Sequence, residues 1–358
     1  MATVRRVAIV GTGGIAGTHV GAVRANAGRA RLVTAVDVDA GRLGAFCDEH
    51  GVTGYRDVAD MLERERPDLV CIATPPAPHA ELSILCMEGG AWVLCEKPLC
   101  ASLAELDRIT AAEARTGRHC ASVFQWRFGS AGQHLRGLIE RGTLGRPLVG
   151  ICQTTWFRAQ DYYDKPWRGR WDSELGGATM GHGIHAMDLF LWLLGGWAEV
   201  SAMLGTLDRD IEVEDVSAAV VRFEGGALGT VVNSVLSPRE ETYLRLDFQR
   251  ATVEVRALYY YTNAHWTFTP AAGAGAAADA WRIPVDEGSS HGAQLRGLLD
   301  SMDAGAPPAA GTAGVRPTFE FLSSLYRSAA EGRPVRRGDI APGDPFYAHV
   351  AGTLAGVP

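Results

Sequence analysis

The sequence predicts two domains, an α/β N-terminal domain built on a parallel sheet and an α+β C-terminal domain with a mainly antiparallel open sheet. The chain has 358 residues, which is longer than a single hydrophobic core usually becomes. Up to about residue 120, short apolar runs alternate with helical patterns, as expected of parallel strands joined by crossover helices. After residue 147, strand patterns follow one another with little helix between them, which favours antiparallel pairing. We expect residues 1–124 to form the first domain and residues 125–358 the second.

The apolar runs of the first domain are predicted strands, at residues 4–10, 32–36, 69–73 and 92–95. The segments between and after them are predicted helices, at residues 15–27, 58–65, 78–88 and 102–116. The last of these helices opens with Ser102 and has Glu105 three residues later, which is a capping-box pattern. This alternation of strands and helices predicts a doubly wound sheet.

The second domain has six predicted strands, at residues 148–157, 199–207, 216–223, 227–235, 243–248 and 252–256. The sequence Glu-Gly-Gly-Ala at 224–227 predicts a tight hairpin turn, because glycine supplies the positive φ that such turns need. Residues 183–194 predict one long helix that ends at Gly195, and residues 294–302 and 318–331 predict two closing helices. The Ala/Gly-rich stretch 271–280 is a predicted loose loop.

Composition and charge argue against several classes of partner. The formal net charge is -7 and the pI is about 5.8, so no basic face is expected to bind nucleic acid. No apolar run approaches the roughly 18 residues that span a bilayer, and the first residues lead into a strand rather than a signal peptide. The seven cysteines lack the close pairing of zinc or redox motifs, which favours buried free thiols and a cytoplasmic location.

A glycine fingerprint, Gly11-Thr-Gly13-Gly14-Ile15-Ala16, lies where the first predicted strand ends and the first helix begins. Gly11 permits a tight turn, Gly13 lets the backbone approach a pyrophosphate, and Ala16 lets the helix pack closely on the strand. This context predicts that Gly11, Gly13, Gly14 and Ile15 bind a dinucleotide. A glycine-rich turn without a ligand is the alternative interpretation.

Asp37 follows the second predicted strand, at the distance from the fingerprint where dinucleotide-binding domains carry an acidic residue. A carboxylate there accepts hydrogen bonds from the adenosine ribose and repels a 2′-phosphate, so the sequence favours NAD over NADP. Asp37 could instead cap the next helix, although Asp39 is better placed for that.

Two further motifs, Thr74-Pro75-Pro76-Ala77-Pro78-His79 and Cys95-Glu96-Lys97-Pro98-Leu99, join the fingerprint in a resemblance to a known family. Together they resemble the Gfo/Idh/MocA family, named for glucose–fructose oxidoreductase and inositol dehydrogenase. The resemblance covers nearly the whole chain. It implies an NAD-binding Rossmann domain and a C-terminal domain that binds substrate. Because an open antiparallel sheet tends to bury its exposed face against a partner, we expect a homodimer or homotetramer formed through the C-terminal sheet.

The resemblance also implies roles for individual residues. Lys97 is implied to be catalytic and to contact the cofactor, with Pro98 commonly following a cis peptide bond. The residues implied to line the rest of the cofactor site are Thr74, Pro75, His79 and Glu96.

The position of Lys97 supports this role independently. It lies just past the carboxyl end of a predicted buried strand, which is where ligands bind in open parallel sheets. Burial beside a positively charged nicotinamide ring favours the neutral amine, which can accept a hydroxyl proton. A surface lysine that closes a strand is the alternative. Glu96 is expected to face the other way, toward the cofactor or the protein interior.

In the second domain, His185 matches the histidine of the family's active site, and His182 is a further candidate for acid–base chemistry or substrate binding. Many members carry an aspartate four residues before this histidine, whereas this chain has Gly181. Asp188 could fix the tautomer of His185, or could pair with a backbone amide or an arginine. His182, His185 and Asp188 could also be metal ligands, but hydride transfer needs no metal, and the nearby glycines suit close approach of a substrate.

Substrate contacts are predicted in an aromatic and basic loop at residues 162–171 that contains Trp167, Arg168 and Trp171. Aromatic faces stack on sugar rings, and arginines donate paired hydrogen bonds. Packing at a subunit interface explains the same composition equally well. Arg127 resembles a family position near the active site, and could instead anchor the hinge between domains.

The expected function is that of an NAD-dependent enzyme transferring a hydride between nicotinamide and a secondary alcohol or ketone of a sugar, glycoside or cyclitol. The resemblance supplies this substrate class. An NAD-assisted glycosidase or lyase is one alternative, and a non-catalytic ligand sensor of the same fold is another.

Overall fold

The computed structural model describes residues 4–273 and 281–354. Residue contacts divide the chain into two compact units. Unit 1 comprises Met1–Val123 and Ser290–Arg316, and unit 2 comprises Phe124–Ser289 and Pro317–Pro358. Of the predicted loop at 271–280, residues 274–280 lie outside the described part of the chain.

In chain order, the strands are β1 (Arg5–Val10), β2 (Ala30–Val36), β3 (Thr53–Tyr55), β4 (Leu69–Ile72), β5 (Trp92–Cys95), β6 (Cys120–Ser122), β7 (Pro147–Phe157), β8 (Trp197–Gly205), β9 (Val216–Phe223), β10 (Leu228–Ser234), β11 (Leu236–Phe248), β12 (Ala251–Ala257), β13 (Trp266–Pro270) and β14 (Val335–Arg336). The α-helices are α1 (Ala16–Ala25), α2 (Ala40–His50), α3 (Val58–Glu65), α4 (His79–Glu88), α5 (Leu103–Thr116), α6 (Ser130–Glu140), α7 (Ile184–Leu194), α8 (His291–Ala304), α9 (Thr312–Glu331) and α10 (Pro345–Ala348). A π-helical turn, Ala178–Gly183, leads directly into α7.

Unit 1 contains a six-stranded parallel sheet with the order β3-β2-β1-β4-β5-β6. Strands β4 and β5 are buried along their whole length, which explains their unbroken apolar sequences. The strand order reverses at β1, so the crevice between β1 and β4 at the carboxyl edge is a topological switch point, where such sheets bind ligands. The predicted doubly wound Rossmann fold is confirmed.

The segment Ser290–Arg316, which the sequence-based division assigned to the C-terminal domain, belongs to unit 1. Helix α8 packs on α1, and its buried side chains share one apolar core with Val7 and Ile9 of β1. The side chains that α8 contributes are Leu295, Leu298, Leu299 and Met302. The N-terminal fold covers the apolar surface of these side chains. A prediction that divides the chain at one position could not assign this segment to the first domain.

Unit 2 contains an eight-stranded sheet with the order β13-β12-β11-β7-β10-β9-β8-β14. Its pairs are antiparallel except for β7 and β10, which run parallel, so the predicted mainly antiparallel sheet is confirmed. The predicted hairpin joins β9 to β10, and Gly226 adopts φ +87° in its turn. Helix α7 is buried on nearly all sides and ends at Gly195 with φ +88°, as the sequence predicts.

Several elements were not predicted. Helices α2 and α6 and the short strands β3, β6, β13 and β14 have no counterpart among the predicted elements, and β11 begins at Leu236 rather than near residue 243. In the described part of the chain, no helix combines the length and the apolar character that crossing a membrane requires.

Candidate active site

The glycine fingerprint forms the loop between β1 and α1. Gly11 has φ +93°, and a Cβ at this position would lie 2.8 Å from the backbone carbonyl of Ala73, so no other residue fits without displacement. Added Cβ atoms at Gly13 and Gly14 would instead meet no atom of the described residues within 4 Å. The loop therefore packs tightly against the end of β4 through Gly11 and leaves open space beside Gly13 and Gly14, as a pyrophosphate requires.

Asp37 lies at the end of β2 and is tightly hydrogen-bonded. Its carboxylate accepts hydrogen bonds from the backbone N–H and hydroxyl of Thr12, both at 2.8 Å, from the N–H of Asp39 at 2.8 Å and from Arg42 at 2.9 Å. Burial alone would raise the pKa of Asp37, but these bonds outweigh it and lower the pKa to about 2. Asp37 is thus an ionised acceptor beside the fingerprint. Asp39, not Asp37, caps α2, by accepting a bond from the backbone N–H of Arg42.

His79 connects the loop after β4 to the loop after β5. Its Nδ1 lies 2.7 Å from the carbonyl oxygen of Pro98, and its Nε2 lies 3.0 Å from that of Thr74. Burial lowers the pKa of His79 despite these carbonyls, so the imidazole is neutral and donates to one carbonyl at a time. His79 and Thr74 therefore shape the edge of the sheet next to Lys97. Pro75 lies in the same loop.

Glu96 lies just beyond β5 and is buried with two histidines. Its Oε1 lies 3.0 Å from Nε2 of His19 on α1 and 3.1 Å from Nε2 of His291 at the start of α8. Burial would raise the pKa of Glu96, but the two imidazoles hold it well below its usual range. Burial likewise acts to lower the pKa of His19, whereas contacts with Cys71 and Glu96 raise it to about 9. Glu96, the residue before Lys97, thus forms a buried ion pair with His19.

Among the described residues, His19, Glu96 and His291 are a set that could hold a metal ion, because one ligand atom from each lies within 4.8 Å of the others. Both imidazoles point an Nε2 at one carboxylate oxygen, which is the geometry of two hydrogen bonds to a single acceptor. This triad differs from the metal set weighed in the sequence, which was His182, His185 and Asp188. The expectation that the reaction needs no metal stays a prediction.

Lys97 is half-buried immediately after Glu96, and its backbone N–H lies 3.3 Å from Oε2 of Glu96. The peptide bond between Lys97 and Pro98 is cis, as the resemblance implies. Lys97 therefore lies at the carboxyl edge of the sheet, two strands from the fingerprint on β1.

In unit 2, the candidate histidines lie on the π-helical turn and the start of α7. Two glycines of this region are required by packing: a Cβ at Gly177 would lie 1.8 Å from the backbone oxygen of Glu214, and one at Gly183 would lie 2.0 Å from the side chain of Asn233. Packing therefore accounts for these two glycines, and the interpretation that the glycines nearby suit close approach of a substrate stays a prediction. π-Helical turns are rare and are often found at functional sites.

His182 and His185 line one recess of unit 2 together with Trp156 and Tyr259. Nε2 of His182 accepts a hydrogen bond from Nε of Arg158 at 3.2 Å and lies 3.5 Å from the hydroxyl of Tyr162. His185 is 4% exposed, and its ring meets Tyr259 edge to face at 5.4 Å. The recess thus combines two imidazoles with aromatic walls.

Asp188 pairs with an arginine, which is one of the alternatives left open by the sequence. Arg127 donates hydrogen bonds to both carboxylate oxygens, at 2.6 and 2.5 Å, and the hydroxyl of Thr318 donates a third at 2.9 Å. Burial raises the pKa of Asp188, and Arg127 opposes this change. Arg127 is 3% exposed, so its guanidinium fixes α7 and has little surface left for a substrate.

The aromatic and basic loop contains three predicted substrate residues in different settings. The guanidinium of Arg168 lies over the rings of Tyr162 at 3.8 Å and Trp167 at 4.2 Å. Trp171 is buried edge to face against Tyr326 at 5.4 Å, so it supports the loop from inside. Arg168 and Trp167 are therefore the better placed of the three to meet a ligand.

Four polar residues of these surroundings were not selected from the sequence. They are His19, Arg158, Glu174 and His291. His19 could have been noticed as a polar residue on the buried side of α1, three positions after Ala16. Arg158 and His291 carry no local signal, because their partners are distant in the chain. Glu174 bonds to Arg168 and Gly169 in its own loop, but no sequence motif marks this pairing.

The parallel sheet, the fingerprint and the acidic residue after β2 define a dinucleotide-binding protein of the oxidoreductase class. Residues 5–124 match a family model described as an oxidoreductase family with an NAD-binding Rossmann fold, and residues 133–257 match the model of the GFO/IDH/MocA C-terminal domain. The chain belongs to the GFO/IDH/MocA family of oxidoreductases.

Similar proteins of known structure or activity span most of the chain. The WlbA dehydrogenase from Chromobacterium violaceum, whose structure holds NADH and UDP-GlcNAcA, is 30% identical over 94% of this chain and 97% of its own, with a TM-score of 0.82. D-Apiose dehydrogenase from Paraburkholderia graminis is 28% identical over 93% of this chain and 90% of its own. Inositol 2-dehydrogenase from Rubrobacter xylanophilus is 28% identical over 70% of this chain and 71% of its own.

Proposed function

We propose that this protein is an NAD-dependent oxidoreductase that interconverts a secondary alcohol and a ketone on a sugar, a glycoside or a cyclitol. The observation that carries the proposal is the position of Lys97, half-buried at the same edge of the sheet as the fingerprint and Asp37. A lysine at this edge is within the region where open parallel sheets bind ligands. The relatives named for apiose and inositol support the substrate class.

The loop geometry fits NAD, because Gly13 and Gly14 border open space and Asp37 is an ionised acceptor. When bound, NAD supplies the ring that exchanges a hydride. The residues that would hold it are Gly11, Gly13, Gly14, Ile15, Asp37, Thr74, Pro75, His79, Glu96 and Lys97. The negative charge of Asp37 favours NAD over NADP, since a 2′-phosphate would be repelled.

Lys97 and His185 handle the proton in this proposal. The amine of Lys97 takes the proton of the reacting hydroxyl during oxidation and returns it during reduction. His185, on unit 2, is the second group that handles the proton, and His182 assists. His182 already accepts a hydrogen bond from Arg158, so its part is to orient the substrate. Trp167 and Arg168 border the substrate, and Trp171 and Arg127 support this region.

The test is a panel of sugars, glycosides, cyclitols and nucleotide sugars incubated with NAD or NADP and followed by nicotinamide absorbance, with Lys97→Ala as the key variant. We expect Lys97→Ala to lower kcat by at least about a hundredfold, because it removes the acid–base group. Arg115→Ala, a change of an exposed cation in unit 1 that pairs with Glu88 at 2.9 Å, is the matched control. Unchanged turnover in Lys97→Ala would refute the proposed mechanism.

The same panel separates the two alternatives. An NAD-assisted glycosidase or lyase would consume its substrate without net change in nicotinamide absorbance, so product analysis accompanies the assay. A ligand sensor would bind a compound of the panel in calorimetry and convert none.

We further propose a homodimer or homotetramer formed through the sheet of unit 2. The outer face of this sheet carries large exposed apolar side chains: Met203, Val220 and Leu228 are 79%, 57% and 48% exposed. An apolar sheet face of this kind usually packs against a partner. A cytoplasmic location is proposed because the seven cysteines are unpaired, six of them buried, as in reducing compartments.

A further inference from the structure

Gly181 lies on the π-helical turn, one helical turn before His185, yet nothing in its own surroundings requires glycine. It does not adopt the left-handed backbone conformation, and a Cβ added there would meet only one atom within 4 Å among the described residues. That atom is Oε1 of Glu174, at 3.6 Å. Gly177 and Gly183 differ, because protein atoms press against both. Glycine at 181 therefore leaves open space bordered by a carboxylate oxygen.

Glu174 is held firmly in this place although it comes from the preceding loop. Its Oε1 accepts a hydrogen bond from Nη1 of Arg168 at 2.8 Å, and its Oε2 accepts one from the backbone N–H of Gly169 at 2.6 Å. Glu174 is 4% exposed, and Arg168 is itself fixed over the ring of Tyr162. An ionised carboxylate accepts hydrogen bonds and donates none.

We propose that Glu174 is a substrate-binding residue whose Oε1 accepts a hydrogen bond from a substrate hydroxyl in the space over Gly181. Residues one turn apart lie on one face of a helix, so this space borders the face that carries His185. This inference rests on the proposed function. The carboxylate that many family members carry at the position of Gly181 is then supplied here by a different segment of the chain.

Electrostatics explains why the two arrangements exclude each other. An aspartate at 181 would bring a second carboxylate next to Glu174, and two carboxylates at one site cannot both ionise without a large penalty. A glutamate at position 174 is therefore expected to occur together with a residue that has no side chain at position 181. The same carboxylate sets a specificity: because it is an acceptor, the substrate supplies a hydrogen-bond donor such as a hydroxyl at this position.

The test moves the carboxylate from one segment to the other. Glu174→Gln, Gly181→Asp and the double variant are compared with wild type, using NAD and the compound that wild type oxidises fastest. We expect Glu174→Gln to lower kcat/KM by about 10- to 100-fold, the usual effect of losing a hydrogen bond to a charged group. The double variant is expected to have a kcat/KM at least about tenfold higher than that of Glu174→Gln alone, because Gly181→Asp restores a carboxylate.

Gly181→Asp alone places two carboxylates together, so the pH profile of kcat/KM is expected to gain an inflection above the usual range of a carboxyl group. Glu212→Gln is the matched control, because Glu212 is an exposed glutamate that pairs with Arg170 at 3.6 Å. Thermal unfolding and NAD affinity, measured for every variant, identify a folding defect.

Two results would overturn the inference while leaving the proposed function intact. One is unchanged kcat/KM in Glu174→Gln. The other is a folded Glu174→Gln variant whose activity loss Gly181→Asp does not reduce, because Glu174 would then only support the loop. If wild type converts no compound of the panel, the proposed function fails and this inference fails with it.

Discussion

Asp37 shows how one side chain in this protein can set a cofactor preference. Four donors surround its carboxylate, two of them from Thr12 in the glycine loop and one from the guanidinium of Arg42. They keep the pKa at about 2, so the charge is constant at every pH where an enzyme is assayed. The side chain thus holds the loop and presents a fixed negative charge beside it.

Replacing Asp37 with alanine is expected to weaken NAD binding by about tenfold or more and to strengthen NADP binding, as measured by titration calorimetry. The substitution removes the charge that repels a 2′-phosphate, and it frees Arg42 to bind one. Asp39→Ala is the control: it removes the cap of α2, costing about 1 kcal/mol of stability, without changing the ratio of the two affinities. NADP binding that does not improve in Asp37→Ala would contradict this account.

Single residues were predictable where a local motif carries the chemistry, and not where distant segments meet. Gly11, Asp37 and Lys97 follow predicted strands, so their location at one edge of the sheet could be deduced from the sequence. For Asp188 the sequence left three kinds of partner open, His185, a backbone amide or an arginine, and the structure selects Arg127, 61 positions away. Glu174 could not have been selected, because its significance depends on the empty space at Gly181.

At the scale of elements, the buried ion pair of His19, Glu96 and His291 ties three of them together. It links α1, the end of β5 and the start of α8. A buried carboxylate with two imidazole partners is stable only as a complete set, since removing one partner leaves a charge unpaired. The residue that follows Glu96 is Lys97, so the triad also fixes the backbone from which the lysine extends.

The protonation of His19 predicts a stability that depends on pH. The pKa of His19 is about 9 in the folded protein and 6.5 without its partners, so its contribution is complete below pH 6.5 and is lost as pH rises toward about 9. Glu96 stays ionised across this range, because its pKa is lowered. His19→Gln should therefore destabilise the protein by about 3 kcal/mol more at the acidic end than at the alkaline end.

Denaturant unfolding at the two ends of that range measures this difference. His265→Gln is the control, because His265 is exposed and lies in unit 2. A His19→Gln effect that is equal at both pH values would show that the histidine contributes by packing and not by charge.

The sequence predicted the long elements better than the short ones. Strands β1, β4, β5, β7 and β9 were found within a few residues, because a run of buried or alternating side chains marks them. Strands β3, β6 and β14 have only two or three residues, too few to form a pattern. Helix α6 was missed although it has one apolar side, since Gly132 and Gly137 interrupt its sequence.

For the whole molecule, the outer face of the unit 2 sheet matters most, because it exposes large apolar side chains. Val220 on β9 lies between Ser201 of β8 and Thr230 of β10, and Leu228 lies beside Val149 of β7. Large exposed apolar side chains thus occur on the four neighbouring strands β7 to β10, with the polar Ser201 and Thr230 on either side of Val220. A surface of this kind is expected to be buried between subunits.

Val220→Glu is expected to lower the molar mass measured by light scattering from that of an oligomer to that of one chain. A charge in the middle of an apolar interface has no partner and loses its hydration, which costs several kcal/mol. Val285→Glu is the matched control, because Val285 is 60% exposed and lies in a loop. Equal masses for the two variants would place the interface elsewhere, and a monomeric wild type would exclude it.

Residues 290–316 belong to unit 1 although they follow residues 124–289 of unit 2 in the chain, and this order affects folding during synthesis in the cell. During translation residues 1–123 of the nucleotide-binding fold emerge first, but helix α1 packs on α8, which is made only after residues 124–289 of unit 2. Until then, the apolar surface that Leu295, Leu298 and Leu299 cover stays open to solvent. A fragment that stops after Val123 would carry the same exposed surface permanently, and its Glu96 would lack His291.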